Sequence, residues 1–277
     1  MSGFHWIAAY PKSGSTWLRL LLGSLSLGGG AVDFRRRVEM APVASDRASL
    51  DARLDAQSGD LDPDAAEALR PRFYEAEARA ASGPLLRMAY DAWVLTRSGE
   101  PLFPPHLTLA AVHLVRDPRD VAVSLSHHLK LPLDGAIDFM SRPDAAFSGN
   151  RRAGTLQLRQ RLLTWSEHAR SWLEAPSVPL LVRYEDLLAD TPAELGRVAR
   201  HLGWDASATA LEGAAAATRF DSLRNQEERH GFRHNPISGG RFFRQGAAGG
   251  WRAVLSGAQS ARIEREHGSV MGRLGYR

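Results

Sequence analysis

Hydrophobic positions along the 277-residue chain fall into two kinds of pattern. Short apolar runs at 6–9, 85–90, 110–115 and 179–184 have the length of strands buried on both faces. Between them, apolar residues recur every three or four positions, the spacing of one helix face. Within 155–174, Leu158, Leu162, Trp165, Ala169 and Trp172 predict one long amphipathic helix. Asp117-Pro118 reads as an N-cap with proline at the first helical position, ahead of Val121, Leu125 and Leu129. Thr191-Pro192-Ala193-Glu194 predicts a capping box opening a helix that runs to about Leu202. Alternating strands and helices make an α/β fold of three layers, α/β/α, around a central, mainly parallel sheet.

Two segments break the pattern. Residues 31–82 are polar and rich in Ala, Asp and Arg, and the stretch around 62–70 predicts surface helices. Residues 225–250 carry many Gly and polar residues without periodicity and read as a long loop, a feature that in a compact domain usually serves function. No internal repeat or linker divides the chain, so 1–277 is expected to be one domain.

Composition narrows the chemistry. Hydrophobic content of 44% and charged content of 24% are those of an ordinary globular protein. Zero cysteines exclude disulfides, thiolate metal ligands and a cysteine nucleophile. No leader or membrane span is legible, which makes the cytoplasm the expected location. A net charge of +4 permits an anionic partner. Arg35-Arg36-Arg37 is the only tight basic run and reads as a solvated face, so no nucleic acid is expected. His230 and His234 are four apart, but no third ligand accompanies them and no metal is expected.

Of the 35 basic residues only Lys12 and Lys130 are lysines. Lys12 lies in YPKSGSTWLR at 10–19, between a strand pattern and a helical one. Strand, tight loop with Gly14 and helix N-terminus together make a P-loop-like cradle for phosphate or sulfate, because the first helical N–H groups lack partners and the helix dipole favours negative charge. A lysine there is a compact, mobile ammonium, able to follow charge from atom to atom as arginine's planar fork cannot. The nucleotide-triphosphatase signature places its lysine after the glycines, and here Lys12 precedes Gly14. The run HLVRDPRDVAVSLSHH at 113–128 repeats the architecture: Arg116 ends a strand and Ser124 lies two turns into the following helix. Such carboxyl ends are where open α/β sheets bind ligands.

With these two loops the chain resembles the sulfotransferases that use 3′-phosphoadenosine 5′-phosphosulfate (PAPS). YPKSGSTW is similar to their 5′-phosphosulfate loop and VRDPRDVAVS to their 3′-phosphate motif. In the same order, TWSEHARSW at 164–172 resembles the family's W-x-x-H-x-x-S-W helix, RYEDLLAD at 183–190 its Y-E-D segment, and FRQGAAGGWR at 243–252 its R-K-G-x-x-G-x-W loop. The resemblance implies a sulfuryl transfer from PAPS to a hydroxyl or amine of a small-molecule or glycan acceptor, leaving 3′-phosphoadenosine 5′-phosphate (PAP). It implies that Lys12, Ser13, Gly14, Ser15 and Thr16 hold the phosphosulfate, with Lys12 neutralising the leaving phosphate oxygen. It implies further that Trp17 and Phe220 sandwich the adenine near Tyr184 and Thr218, and that Arg116, Ser124, Arg244 and Gly246 grip the 3′-phosphate. Segments 31–82 and 130–155 fall where the family varies its acceptor side, and 225–250 where a loop covers the nucleotide. No dimer motif is legible.

The chain departs from the family at two places. Gln245 stands where the family has a lysine, keeping a hydrogen-bond donor but losing the charge. Tyr90, in Met88-Ala89-Tyr90-Asp91-Ala92, occupies the position of the catalytic histidine, and a phenol with a reference pKa of about 10 is a poor base. The role then passes to Asp91, provided that the strand has ended there, to His168 of the W-x-x-H helix, or to no protein group at all. A non-catalytic relative that binds PAP is the competing expectation. A nucleoside-triphosphate kinase on a similar fold is a further one, needing magnesium and a strand-end aspartate facing Lys12.

Overall fold

The computed structural model describes residues 2–35, 41–148, 156–232 and 241–277. His234 and parts of the three segments 31–82, 130–155 and 225–250 lie outside the described residues. The chain runs β1 (Phe4–Ala9), α1 (Ser15–Ser26), α2 (Arg47–Leu54), α3 (Pro63–Ala68), α4 (Arg70–Ala80), β2 (Leu85–Ala89), β3 (Thr108–Val115), α5 (Pro118–Leu129) and α6 (Leu133–Met140). It continues through β4 (Ala146–Phe147), β5 (Gln160–Arg161), α7 (Trp165–Leu173), β6 (Leu180–Arg183), α8 (Tyr184–Ala189), α9 (Thr191–His201), α10 (Ala208–Ala217), α11 (Phe220–His230) and α12 (Gly257–Arg273).

The central sheet has the order β2-β1-β3-β6 and every pair in it is parallel. Strand β1 lies in its middle, and all six of its residues are buried. Successive side chains face opposite ways. Ile7 and Ala9 therefore join Val112 and Leu114 of β3 against α1, α9 and α10, through Leu18, Leu21, Leu22, Leu195 and Val198. Phe4, Trp6 and Ala8 pack on the other face with Phe73 and Tyr74 of α4 and Trp172 of α7. Beside them Val115 meets Val121 and Leu125 of α5, Trp165 of α7 and Ile263 of α12. Helices cover both faces, the expected three-layer α/β/α arrangement. Among the described residues no helix is long and apolar enough to cross a membrane.

Several boundaries differ from the sequence pattern. The helix expected over 155–174 is only α7, opened at Thr164 by a capping box with Glu167. Upstream, β5 pairs antiparallel with β4. Leu158 and Leu162 are buried nonetheless, because a spacing of four also keeps residues on one face of an extended chain. Helix α9 is capped by Asp190, whose carboxylate accepts from Ala193 N, while the Thr191 hydroxyl turns back to Leu187 O. Residues 220–230, partly assigned to a loop, form α11. Strands β2 and β6 stop one residue short of Tyr90 and Tyr184, and both tyrosines stand at the carboxyl edge of the sheet. Ahead of α2, Ala44 N donates to Met88 O and Met88 N to Pro42 O, so part of 31–82 runs along β2 as an added edge.

Candidate functional site

The loop after β1 makes the first half of the site. Gly14, with φ 99°, is the N-cap of α1; no side chain caps the helix and no acidic residue lies in its first turn. The orphan N–H groups of that turn are thus left without a competing carboxylate. A Cβ at Gly14 would come within 2.5 Å of the Tyr184 ring, so the loop needs glycine for contact as well as for φ. Lys12 itself has φ 74°. Its ammonium lies 5.1 Å over the ring of Phe242. Burial, with Arg116 and Arg244 nearby, pulls the Lys12 pKa down to about 8. The Ser13 hydroxyl is buried with no hydrogen-bond partner among the described residues.

The loop after β3 supplies the second half. Arg116 donates to Lys12 O at 3.3 Å and to Ala247 O at 2.9 Å. Its guanidinium carbon stands 4.4 Å over the Tyr184 ring, and its Nε is buried without a partner among the described residues. Asp117 caps α5, and Glu185 accepts from Asp117 N and from the Tyr276 hydroxyl, tying α8 to the chain end. Asp120 accepts from Gly249 N and Trp251 N at 2.7 and 3.0 Å, which brings Arg244, Gln245 and Gly246 to the mouth of the site. Gly246, φ 60°, packs on the Phe220 ring so closely that a Cβ would clash. Arg244 is exposed, and Ser124 on α5 is half-buried.

An aromatic wall joins the two halves. Trp17 lies edge-on to Tyr184 with ring centroids 5.7 Å apart, and its Nε1 donates to Thr218 O at 3.1 Å. Phe220 packs in the same apolar cluster as Trp17 and Phe242. Thr218 is fully buried and its hydroxyl donates to Ala214 O, so it meets the site through its carbonyl and Trp17 only.

The residues around the catalytic-histidine position arrange themselves differently from each other. Tyr90 is half-buried and its hydroxyl is 3.1 Å from Ser15 Oγ, which places it at the Lys12 loop. The strand has ended, as a role for Asp91 requires, but the Asp91 carboxylate turns inward. It takes hydrogen bonds of 2.9 and 2.8 Å from the Arg70 guanidinium and one of 3.0 Å from Arg161 N, at 1% exposure. His168 is fully buried; its Nε2 donates to Tyr90 O at 3.1 Å, and burial drops its pKa to about 4. The rest of its motif grips the same stretch, Trp172 Nε1 donating to Asp91 O and Trp93 N donating to Ser171 Oγ. Helix α7 is a clamp on the backbone of 90–93.

Sequence patterns left three neighbours of the site out. Phe242 lies under the Lys12 ammonium, and His128 of α5 is held near pH 4 by burial and by Lys12. Arg19 is buried one turn below Ser15 on α1. Its signal was in plain view: a single arginine inside the apolar run Trp17 to Leu25.

The sulfotransferase domain family matches residues 102–275, which include the Arg116 loop, α7 and the C-terminal loop. Human sulfotransferase 2B1 is 27% identical over 167 residues, covering 58% of this chain and 44% of that protein. Cytosolic sulfotransferase 12 of Arabidopsis thaliana is 31% identical over 162 residues, 56% of this chain and 47% of that protein. The chain thus spans about half the length of these curated relatives. Among solved structures, mouse sulfotransferase SULT7A1 complexed with PAP superposes with a TM-score of 0.62 at 16% identity, covering 97% of this chain and 84% of that one. Retinol dehydratase in complex with androsterone and PAP gives 0.60 at 20% identity, covering 97% and 80%. The domain match covers well over half of the chain and the fold agrees with it: this protein belongs to the sulfotransferase family.

Proposed function

We propose that the protein is a PAPS-dependent sulfotransferase acting on a hydroxyl or amine of a small-molecule or glycan acceptor, within one domain spanning 1–277. The observation that carries this reading is the meeting of Gly14, Arg116 and Trp17 around the single ring of Tyr184. It joins two strand-end anion loops into one elongated site walled by aromatics. The orphaned polar atoms fit a nucleotide with two separate anionic groups: Ser13 Oγ, Arg116 Nε and the uncapped N–H groups of α1.

PAPS supplies, when bound, a sulfuryl group activated by its bond to the 5′-phosphate. The first-turn amides of α1 with Ser13, Gly14, Ser15 and Thr16 hold the phosphosulfate, and Lys12 holds charge on the leaving phosphate oxygen. Arg116, Ser124, Arg244 and the Gln245-Gly246 backbone hold the 3′-phosphate. Trp17 and Phe220 take the adenine, with Tyr184 as the shared floor and Thr218 fixing Trp17. Catalysis is then mostly positioning and electrostatic stabilisation in a preorganised site. Neither Asp91, neutralised by Arg70, nor His168, buried behind Tyr90, serves as the base. The group at the acceptor is the Tyr90 hydroxyl with Ser15, which orients a nucleophile that needs no strong base, as a phenol or a free amine does not. The edge at 41–44, beside Met88, supports an acceptor-side role for 31–82.

Calorimetric titration with PAP and with AMP tests the reading. Losing several charge-assisted bonds costs at least about tenfold, so PAP binds at least that much more tightly. Equal affinities overturn the 3′-phosphate assignment. Mass-spectrometric detection of a sulfonated phenol or amine after incubation with PAPS tests turnover. A protein that binds PAP, yields no product with any acceptor and gains activity on Tyr90→His is the non-catalytic relative that Tyr90 brings to mind.

A further inference from the structure

Arg19 is 6% exposed, its Nε is buried without a hydrogen-bond partner, and among the described residues it stands in no ion pair. An unpaired buried cation costs several kcal/mol even after relaxation, which a fold does not carry without a use. Arg19 sits one turn below Ser15 on α1, and side chains on a helix lean toward its N-terminus. The guanidinium is thereby brought back toward the Ser15–Tyr90 hydrogen bond. A second positive centre therefore stands on the Tyr90 side of the loop, beside Ser15.

We propose that the acceptor carries a fixed oxyanion, such as a carboxylate, that pairs with Arg19 beside Tyr90, in addition to the hydroxyl or amine that is sulfonated. The proposal rests on the sulfotransferase reading of the site and names the class of its acceptor. The anion fixes the acceptor's orientation, and its hydroxyl is presented to the Tyr90–Ser15 end of the phosphosulfate loop. Arg19 is a specificity residue, and a planar guanidinium suits bidentate pairing with a carboxylate.

The test uses phenols in matched pairs, each a carboxylate and its primary amide: 4-hydroxybenzoate, 4-hydroxyphenylacetate and N-acetyltyrosine. Titrated into the PAP-saturated protein, the carboxylates are expected to bind about tenfold or more tightly than their amides, the worth of one charge-assisted pair. Arg19→Gln should erase that preference while leaving PAP affinity within about threefold, and Arg19→Lys should restore part of it. Arg19→Met should melt at or above the wild type, since it removes a buried charge that lacks a partner. No preference in any wild-type pair overturns the proposal whatever the variants do. A loss of PAP affinity of about tenfold in Arg19→Gln assigns the residue to the donor and overturns it as well. A wild type that fails to bind PAP at all instead sinks the sulfotransferase reading on which it stands.

Discussion

Arg70 and Asp91 face each other through two parallel hydrogen bonds, Nη1 to Oδ1 at 2.9 Å and Nη2 to Oδ2 at 2.8 Å, with neither side chain more than 1% exposed. Arg70 also donates to the Tyr74 hydroxyl, which donates in turn to Ala44 O. The pair bolts α4 to the turn after β2 and so fixes where Tyr90 stands. Breaking one side leaves an uncompensated buried charge, at a typical cost of about 3–5 kcal/mol. Asp91→Asn and Arg70→Met should each lower the Tm strongly in calorimetry. Activity per folded molecule of Asp91→Asn, measured well below its Tm, should stay within about tenfold of wild type; a loss of about a hundredfold or more would restore Asp91 as the base.

Buried histidines make the fold acid-sensitive. His113 is held well below its ordinary pKa by burial and by His168, while His168 and His267 are lowered to about 4. With folded-state values below the ordinary 6.5, the unfolded chain takes up protons first, and stability falls as the pH drops from 6.5 toward 4. Differential scanning at pH 7 and pH 5 should show a Tm loss of roughly 10 °C. His168→Gln, which keeps a donor for Tyr90 O, should flatten part of that slope.

Lys12 titrates in the opposite sense from a salt-bridged lysine. Its folded pKa of about 8 lies below the ordinary 10.5, so the free protein gains stability from this group as the pH rises from 8 to 10.5. A bound nucleotide anion restores the charged form. PAP binding should therefore take up a proton near pH 9, visible as a buffer-dependent calorimetric heat, and weaken toward pH 10. Lys12→Ala should abolish the proton uptake and reduce single-turnover transfer more than it reduces PAP affinity, because the ammonium matters most as the leaving oxygen gains charge. Near-normal transfer in Lys12→Ala would move that role elsewhere.

The hydroxyl pair of Tyr90 and Ser15, 3.1 Å apart, gives the clearest separation of the candidate bases. Tyr90→Phe keeps the ring and removes the hydroxyl; it should lower kcat by about tenfold, the scale of lost orientation rather than of a lost general base. His168→Gln should leave kcat largely intact and lower the Tm. If His168→Gln instead costs about a hundredfold in kcat with an unchanged Tm, the imidazole is the base.

Local chemistry was legible in the sequence because it is written in short-range spacing. The apolar runs named all four strands of the sheet, most cleanly the buried central ones, while Arg87 and Arg183 interrupt the half-buried β2 and β6. Asp117-Pro118 named the start of α5, and the two strand–loop–helix runs named the loops of Lys12 and Arg116. Even-numbered spacing misled at Leu158 and Leu162, which satisfy a helix and an extended chain equally. Only the tertiary structure decided what each charged side chain faces. Asp91 is next to Tyr90 in the chain, but its partner is Arg70, 21 residues away, and the close packing of α4 on the sheet brings them together. His168 shares a motif with the site and ends as a backbone clamp behind it, because α7 packs with that face inward. Arg19 reads as one polar break in an apolar helix; its burial without a partner emerges only when α1 has been laid against the sheet, which leaves it 6% exposed.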